Sequence, residues 1–280
     1  MPENPRLQTE VQAPFTFSQS SLQDYTDCAR RFQLRYVVQL KWPAIESDPV
    51  LENEKSQVEG QQFHRMVQQF ALGLPAEKIA RMAITDNLAR WWENFITATK
   101  TGLGDLGTSR LYPEVTLSAP IGKHRILAKY DLIAVKDNQA TIYDWKTYHN
   151  RPKDERVAAR PQTRVYRALL VMAGAHLNES QSFSASQINM QYWYSDFPTE
   201  PAKFPYDASL YKHDWEELTN IINEITNKQS YPLTDDDKKC SFCSYRSYCD
   251  RGVGAGDAED VELDVSVEDI TLEQIQEIEF

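Results

Sequence analysis

The sequence has 280 residues, of which 41% are hydrophobic, and it includes 11 Phe, 14 Tyr and 6 Trp. This length and composition suit one large domain with a substantial core, and no apolar run approaches the ~20 residues that a membrane helix needs. The N-terminus lacks the apolar stretch of a secretory signal, so we expect a cytoplasmic protein with no membrane partner.

The formal net charge of −11 argues against a nucleic-acid partner, but the charge is distributed unevenly. Ten of the 41 acidic residues lie within residues 257–280, whereas all 30 basic residues precede residue 252. Residues 143–167 contain seven basic residues against three acidic ones. Such a basic stripe is typical of phosphate-backbone binding and equally of a solvated helix face, so the charge alone leaves both interpretations open.

The N-terminal part is predicted to be mainly helical. The predicted elements are a loose N-terminus over residues 1–17, a helical region over 18–38, a loop over 41–56, and helices over 58–72 and 75–99. The segment Ser18-Gln19-Ser20-Ser21 suits a helix N-cap, and Cys28 lies inside the first helical region. His64 lies beside the apolar stripe of the next helix, where a structural histidine is, without further information, the commoner interpretation.

The pattern changes to strands at residue 111. The predicted elements are strands over 111–117, 125–135 and 140–147, a helix over 161–177, a strand over 187–194 and a helix over 213–229. Pro161 suits the first position of its helix. Gln162 and Tyr166 are four residues apart and therefore share a face of that helix.

The third strand carries the most informative motif, Asp144-Trp145-Lys146. Side chains two residues apart on a strand point to the same face, so Asp144 and Lys146 lie side by side while Trp145 points into a core. Asp131 lies on the preceding strand, and Glu114, on the first strand, is a candidate for a further carboxylate. Carboxylates bind hard divalent cations and a lysine offsets developing charge, so this set suits a metal-dependent phosphodiester hydrolase. An ordinary ion pair is the alternative for an isolated motif of this kind.

The four cysteines form one pattern, in which Cys28 stands alone and Cys240, Cys243 and Cys249 have the spacing C-x2-C-x5-C. In a cytoplasmic protein, clustered cysteines indicate metal ligation rather than disulfides. A single C-x2-C pair completed by a distant cysteine favours an iron–sulfur cluster, with zinc and unligated thiols as alternatives. Such a clasp would close a very long chain loop and stabilise the fold.

Together these motifs resemble the RecB-like branch of the PD-(D/E)xK nuclease superfamily. That branch includes the CRISPR-associated RecB-like exonucleases and the iron–sulfur nuclease domain of AddB-type helicase–nucleases. Six motifs carry the resemblance in the family's order: the segment Ser18 to Phe32, Glu59-Gly60-x-x-x-His64, Asp131, Asp144-x-Lys146, Gln162-x-x-x-Tyr166 and the four cysteines. The sequence has no GxxxxGK[ST] phosphate loop, so the chain is not a helicase–nuclease by itself.

The resemblance implies an α/β fold with a restriction-endonuclease-like core, in which a central mixed β-sheet is flanked by helices. It also implies a helical N-terminal part and an Fe–S clasp. It covers residues 18–251 as a single nuclease domain, between the loose residues 1–17 and an acidic tail over 252–280.

The resemblance also implies roles for individual residues. The catalytic residues are Asp131, Asp144, Lys146, Gln162 and Tyr166. The ligands of Mg²⁺ or Mn²⁺ are His64, Asp131, Asp144 and the backbone carbonyl of Trp145. The ligands of a 4Fe–4S cluster are Cys28, Cys240, Cys243 and Cys249. From the basic stripe, we expect DNA to contact Arg151, Lys153, Arg160 and Arg164.

Three hypotheses follow for the function. The first is a metal-dependent DNA nuclease, acting as an exonuclease on DNA with single-stranded character, in repair, CRISPR adaptation or another defence system. The second is a non-cleaving subunit with a nuclease fold that binds DNA or a partner. The third centres on residues 257–280, which either mimic DNA charge, dock on a protein partner, or form a solvated tail.

Overall fold

The computed structural model describes residues 10–41, 48–101, 103, 106–147 and 149–252, with the backbone only for 48–54. The prediction for residues 1–9 and the predicted acidic tail lie outside the described residues, apart from Gly252. The strands are β1 (Thr16–Ser18), β2 (Arg110–Ile121), β3 (His124–Lys136), β4 (Gln139–Lys146), β5 (Ile188–Tyr194) and β6 (Phe197–Pro205). The α-helices are α1 (Gln19–Asp27), α2 (Ala29–Phe32), α3 (Asp48–Ala71), α4 (Ala76–Ile79), α5 (Asp86–Thr101), α6 (Asp154–Ala158), α7 (Pro161–Ala173) and α8 (Ala208–Asn227).

The described strands form one mixed sheet around β3. Strand β2 runs antiparallel along one edge of β3. The other edge of β3 pairs with β1 in parallel near its start and with β4 in antiparallel orientation near its end. Strand β5 lies parallel to β4, and β6 lies antiparallel to β5. The parallel β4–β5 pair requires a crossover connection, which α6 and α7 provide.

Alternating side chains of β4 divide the interior into two cores. Ile142 belongs to a core that includes residues of α1, α7 and α8. Its neighbours Tyr143 and Trp145 belong to a second core, with Phe63 of α3 and Phe95 of α5. Helices therefore cover both faces of the sheet, which confirms the predicted α/β fold with a central mixed sheet flanked by helices.

The N-terminal region departs from the prediction in two places. The loose chain predicted up to residue 17 ends earlier, because Thr16–Ser18 pairs with β3 and Phe17 is fully buried. Ser18 caps α1 through reciprocal hydrogen bonds with Ser21, as predicted. The predicted helical region is interrupted at Cys28, whose backbone is extended (φ −159°, ψ 110°). The Cys28 thiol therefore lies between α1 and α2 rather than inside a helix.

Other boundaries are corrected by the structure. Helix α3 begins at Asp48, within the predicted loop over 41–56, and the helix predicted over 75–99 is two helices, α4 and α5. Helix α7 ends at Ala173, four residues before the predicted end. Strand β6 was not predicted because Pro198 and Pro201 argue against a strand, yet edge strands tolerate proline.

Among the described helices, none combines the length and apolar character needed to cross a membrane.

Candidate active site

Three of the predicted catalytic residues lie together on one face of the sheet. Leu132 pairs with Tyr143 in the β3–β4 ladder, so Asp131 and Asp144 occupy the next opposing positions. Lys146 follows on the same face because side chains alternate along a strand. Asp131, Asp144 and Lys146 are 6%, 2% and 5% exposed. Charged groups that are so nearly excluded from water must be paired or must bind a ligand.

Gln162, in the first turn of α7, bridges the acid and the lysine. Lys146 Nζ lies 2.9 Å from Asp144 Oδ2 and 3.1 Å from Gln162 Oε1, and Gln162 Nε2 lies 3.1 Å from Asp144 Oδ1. The charges fix the orientation of the amide, because the reverse orientation would turn its NH₂ toward the ammonium and its oxygen toward the carboxylate. The Tyr166 hydroxyl accepts a hydrogen bond from Gln162 Nε2 at 3.3 Å and donates to the carbonyl oxygen of Lys129 at 2.9 Å.

His64 reaches the same acids from α3. Its Nδ1 lies 3.2 Å from Asp131 Oδ1, at hydrogen-bond distance but without hydrogen-bond geometry. The other oxygen of Asp131 accepts the N–H of Trp145 at 2.9 Å. Adjacent ligands of an octahedral Mg²⁺ with metal–ligand bonds of ~2.1 Å lie about 3 Å apart. The spacing between His64 and Asp131 therefore fits two ligands of one cation.

At the contact between His64 and Asp131, burial and the neighbouring charges shift the pKa of each group in opposite directions. Burial favours the neutral imidazole, but the carboxylates of Asp131 and Asp144 outweigh it and raise the pKa of His64. Burial also favours a neutral carboxyl, but His64, the N–H of Trp145 and Lys146 hold the pKa of Asp131 below its ordinary value. The site thus attracts positive charge, and a proton on His64 and a divalent cation would satisfy the same carboxylates.

Glu114 extends the row of acids onto β2. The residues on either side of Glu114 pair with those on either side of Asp131, which places the two acids opposite each other. The backbone of Glu114 adopts the left-handed region (φ 55°), which is uncommon for residues other than glycine. Burial and the charge of Asp131 raise the pKa of Glu114, whereas its ion pair with Lys129 opposes that shift. The structure therefore places this candidate carboxylate beside the site.

The described residues do not form a complete metal cage. In this part of the chain, no three or more His, Cys, Asp or Glu side chains are arranged to hold a metal ion. Asp144 is engaged by Lys146 and Gln162. A cation held by His64, Asp131 and Asp144 together would consequently share the Asp144 carboxylate with Lys146.

The two ends of the described chain meet at the cysteines. The N–H of Arg30 donates to the carbonyl oxygen of Pro232 at 3.1 Å, and Lys239 Nζ lies 3.0 Å from Asp27 Oδ1. The Tyr245 hydroxyl also donates to the carbonyl oxygen of Leu40 at 3.0 Å. These contacts hold the segment that carries three cysteines against the region that carries Cys28.

The four thiols lie within electrostatic reach of one another. All four cysteines are free and partly buried. Burial raises the pKa of the Cys240 thiol, and the charges of Cys243 and Cys28 add to the shift. The pKa of the Cys249 thiol is raised in the same way, by burial and then by the other three cysteines. The described cysteines influence one another electrostatically, but they do not form a group arranged to hold a metal ion.

The residues predicted to contact DNA lie between the end of β4 and the first turns of α7. They are Arg151, Lys153, Arg160 and Arg164. Arg151 pairs with Asp154 at 2.7 Å, and Arg164 pairs with Glu217 at 3.1 Å. Lys153 is exposed. DNA would have to exchange these ion pairs for phosphate contacts at Arg151 and Arg164, whereas Lys153 is directly accessible.

Sequence reasoning did not identify Tyr192, Thr163 or Lys129 as residues of the site. Tyr192 pairs with Asp144 in the parallel β4–β5 ladder. The alternation of side chains along each strand does not predict how the two strands are aligned with each other. Thr163 follows Gln162 directly, and its hydroxyl lies 2.8 Å from the Tyr192 hydroxyl. Lys129 is two residues before Asp131 on β3. Because side chains two apart on a strand point to the same face, the sequence could have indicated that Lys129 lies near the site.

A mixed sheet that presents buried acids and a lysine on adjacent strands has the architecture of a nuclease. The family model described as the PD-(D/E)XK nuclease superfamily matches residues 16–250. The chain belongs to this superfamily, which confirms the superfamily and the nuclease class inferred from the sequence motifs.

Two solved structures are similar to this chain at low identity. The protein called SSO0001 is 13% identical, with 85% of this chain and 87% of that chain covered and a TM-score of 0.41. A protein from Eubacterium rectale named "putative exonuclease" is 11% identical, with 78% of this chain and 84% of that chain covered and a TM-score of 0.44. A comparison with curated proteins gives no match.

Proposed function

We propose that this nuclease hydrolyses DNA with the help of a divalent cation, acting as an exonuclease on DNA with single-stranded character. The proposal depends on one observation. Glu114, Asp131 and Asp144 lie in a row across β2, β3 and β4, and Lys146 lies beside Asp144. Acids grouped in such a row attract a divalent cation, and phosphodiester hydrolysis is a reaction in which a cation and a lysine can act together.

The cation is Mg²⁺ or Mn²⁺, held by His64, Asp131 and Asp144 and, by family resemblance, the backbone carbonyl of Trp145. The donor set supports these ions because carboxylate oxygens with one imidazole suit hard divalent metals. The 3.2 Å spacing of His64 Nδ1 and Asp131 Oδ1 supports shared ligation. When bound, the cation polarises the phosphate and makes water a stronger nucleophile at neutral pH.

The protein's own groups supply orientation and charge. The Lys146 ammonium stabilises negative charge that develops on the phosphate, and it is worth most in a site from which water is largely excluded. Gln162 holds Lys146 and Asp144 in a fixed relation, and Tyr166 holds Gln162. Arg151, Lys153, Arg160 and Arg164 would contact the phosphates that flank the cleaved bond.

We also propose that residues 18–251 form one nuclease domain of the RecB-like iron–sulfur branch, with a 4Fe–4S cluster on Cys28, Cys240, Cys243 and Cys249. The mutual charge effects among the thiols and the contacts that join the two chain ends support this assignment. A purified protein of this kind should be brown and absorb near roughly 400 nm, with stoichiometric iron and sulfide. A colourless protein that contains stoichiometric zinc would refute the cluster while leaving the nuclease proposal intact.

The test of the nuclease proposal is cleavage of linear single-stranded, linear duplex and circular DNA in Mn²⁺ or Mg²⁺. We expect the linear DNA with single-stranded ends to be degraded and the circular DNA to resist. Lys146→Ala should reduce the rate at least about 100-fold, because it removes charge stabilisation at the phosphate. The matched control is Lys203→Ala, which removes an exposed lysine of β6 and should leave the rate unchanged.

Three results would contradict all or part of the proposal. Tight DNA binding without cleavage in either metal would favour a non-cleaving subunit with a nuclease fold. Cleavage that persists at the wild-type rate in Lys146→Ala would show that the reaction does not use this site. Degradation of circular DNA would retain the nuclease but overturn the exonuclease assignment.

A further inference from the structure

We propose that Tyr192 is a positioning residue for this reaction, and that the face of its ring holds the ammonium group of Lys146 in place. The inference rests on the proposed function, in which Lys146 acts on the phosphate. It adds a residue from β5 that belongs to none of the sequence motifs.

Tyr192 lies next to the acid–lysine pair in the sheet. It is fully buried and pairs with Asp144 in the β4–β5 ladder. Lys146 Nζ lies 5.2 Å from the centroid of the Tyr192 ring. A cation within about 6 Å of an aromatic face is attracted by the negative potential of the ring, and the attraction is strongest where water is excluded. Lys146 is only 5% exposed, so the attraction between its ammonium group and the Tyr192 ring is strong.

The ring is itself fixed at its hydroxyl end. The Thr163 hydroxyl donates to the carbonyl oxygen of Val157 at 2.7 Å, so its oxygen is left to accept from the Tyr192 hydroxyl at 2.8 Å. The Tyr192 hydroxyl also lies 3.4 Å from Gln162 Oε1. A phenol has a single proton, so the shorter contact with Thr163 fixes the ring and the longer one adds little.

The ring has an advantage over the Asp144 carboxylate as a partner of Lys146. A cation bound to Asp144 would draw negative charge away from the ammonium and weaken that ion pair. An uncharged aromatic ring is not a ligand for Mg²⁺ or Mn²⁺, so its hold on Lys146 persists when the cation is present. Lysine has a flexible four-carbon stem, and precise placement of its charge at the phosphate depends on such a fixed partner.

The experiment changes the electronics of the ring while keeping its shape. Tyr192 is replaced by Phe and by phenylalanines that carry one, two or three ring fluorines, which progressively remove the negative potential of the ring face. With linear DNA and Mn²⁺, Tyr192→Phe, which also loses the hydroxyl contact with Thr163, is the reference against which kcat, KM and the melting temperature of the fluorinated variants are compared. The trifluorinated ring should lower kcat about tenfold, with KM and the melting temperature unchanged.

Tyr206 provides a matched control, because its ring lies 4.6 Å from the guanidinium carbon of Arg167, a cation to which the proposed reaction assigns no role. The same fluorinated series at Tyr206 should leave kcat unchanged. A kcat that stays constant across the Tyr192 series, or an equal loss with Phe and with every fluorinated ring, would overturn the inference while wild-type cleavage upholds the proposed function. Absence of cleavage by the wild-type protein would overturn both.

Discussion

Asp144 and Lys146 depend on each other for their place inside the protein. Each is almost fully excluded from water, and their charged atoms lie 2.9 Å apart. A buried pair of this kind contributes little net stability, but removal of one partner leaves an uncompensated charge in the interior. The stability of the domain and the chemistry of the site are therefore linked at these two residues.

We predict that Lys146→Met lowers the free energy of unfolding by about 3 kcal/mol at pH 7, because the Asp144 carboxylate loses its ammonium partner. The double variant Asp144→Asn with Lys146→Met removes both charges and should recover most of that loss. Urea denaturation in EDTA measures both effects. A double variant that is less stable than Lys146→Met alone would contradict the interpretation.

The identity of the site residues was predictable to different degrees. Asp144 and Lys146 could be placed on one face from strand alternation, and Pro161 predicted where the helix of Gln162 begins. The position of His64 beside Asp131 came from family resemblance, because no local pattern relates α3 to β3. Tyr192 was missed because its role depends on the register between two strands that are distant in sequence.

At the level of elements, a small polar cluster joins α1 to α8. The Tyr25 hydroxyl donates to Glu224 Oε1 at 2.6 Å, and Lys228 Nζ lies 2.8 Å from the same oxygen. Hydrogen bonds from Lys228 and then from Tyr25 hold the pKa of Glu224 below its ordinary value. Helix α1 precedes Cys28, so this cluster also anchors the N-terminal side of the cysteine region.

A carboxyl whose pKa is lowered by folding contributes stability above its unfolded pKa of about 4.3 and loses it as the pH falls through the folded pKa. We therefore predict that Glu224→Gln is less stable than wild type at pH 7 and that the difference is smaller at about pH 3. Urea denaturation at several pH values measures the difference. The control Glu216→Gln, on the same helix with only a 3.9 Å contact to Lys212, should show almost no difference at either pH.

Strands and helices with clear local signals were predicted well, and those set by tertiary contacts were not. The three strands of the β2–β4 meander and helix α8 follow from side-chain periodicity, although β2 ends four residues after its predicted end and α8 begins five residues before its predicted start. The break at Cys28 and the pairing of β1 with β3 arise from contacts between distant parts of the chain. Strand β6 could be predicted only by knowing that it lies at the edge of the sheet, where proline residues are tolerated.

At the level of the whole molecule, the cysteine region ties the beginning of the domain to its end. The contacts of Asp27 with Lys239 and of Leu40 with Tyr245 already join these regions through protein groups. A cluster on the four thiols would add a covalent link across almost the entire domain. The entropy gained from closing a loop increases with its length, so this position makes the link effective.

We predict that Cys28→Ser lowers the iron content of the purified protein and reduces the free energy of unfolding by on the order of 4 kcal/mol, by analogy with a cross-link that closes a long loop. Iron analysis and denaturation under anaerobic conditions measure the two effects. Ser241→Ala, next to Cys240, keeps all four thiols and should behave as wild type. Unchanged stability in Cys28→Ser would show that the protein contacts alone hold the two ends together.

The positions of the proposed site residues along the chain determine the stage of synthesis at which the site can first form. Glu114, Asp131 and Asp144 come from three successive strands, His64 from an earlier helix and Gln162 from a later one. A nascent chain of fewer than 162 residues lacks at least Gln162, and a shorter one lacks one or more of the acids as well. In the proposed nuclease, cleavage of DNA would therefore be withheld from such short nascent chains without a separate inhibitor.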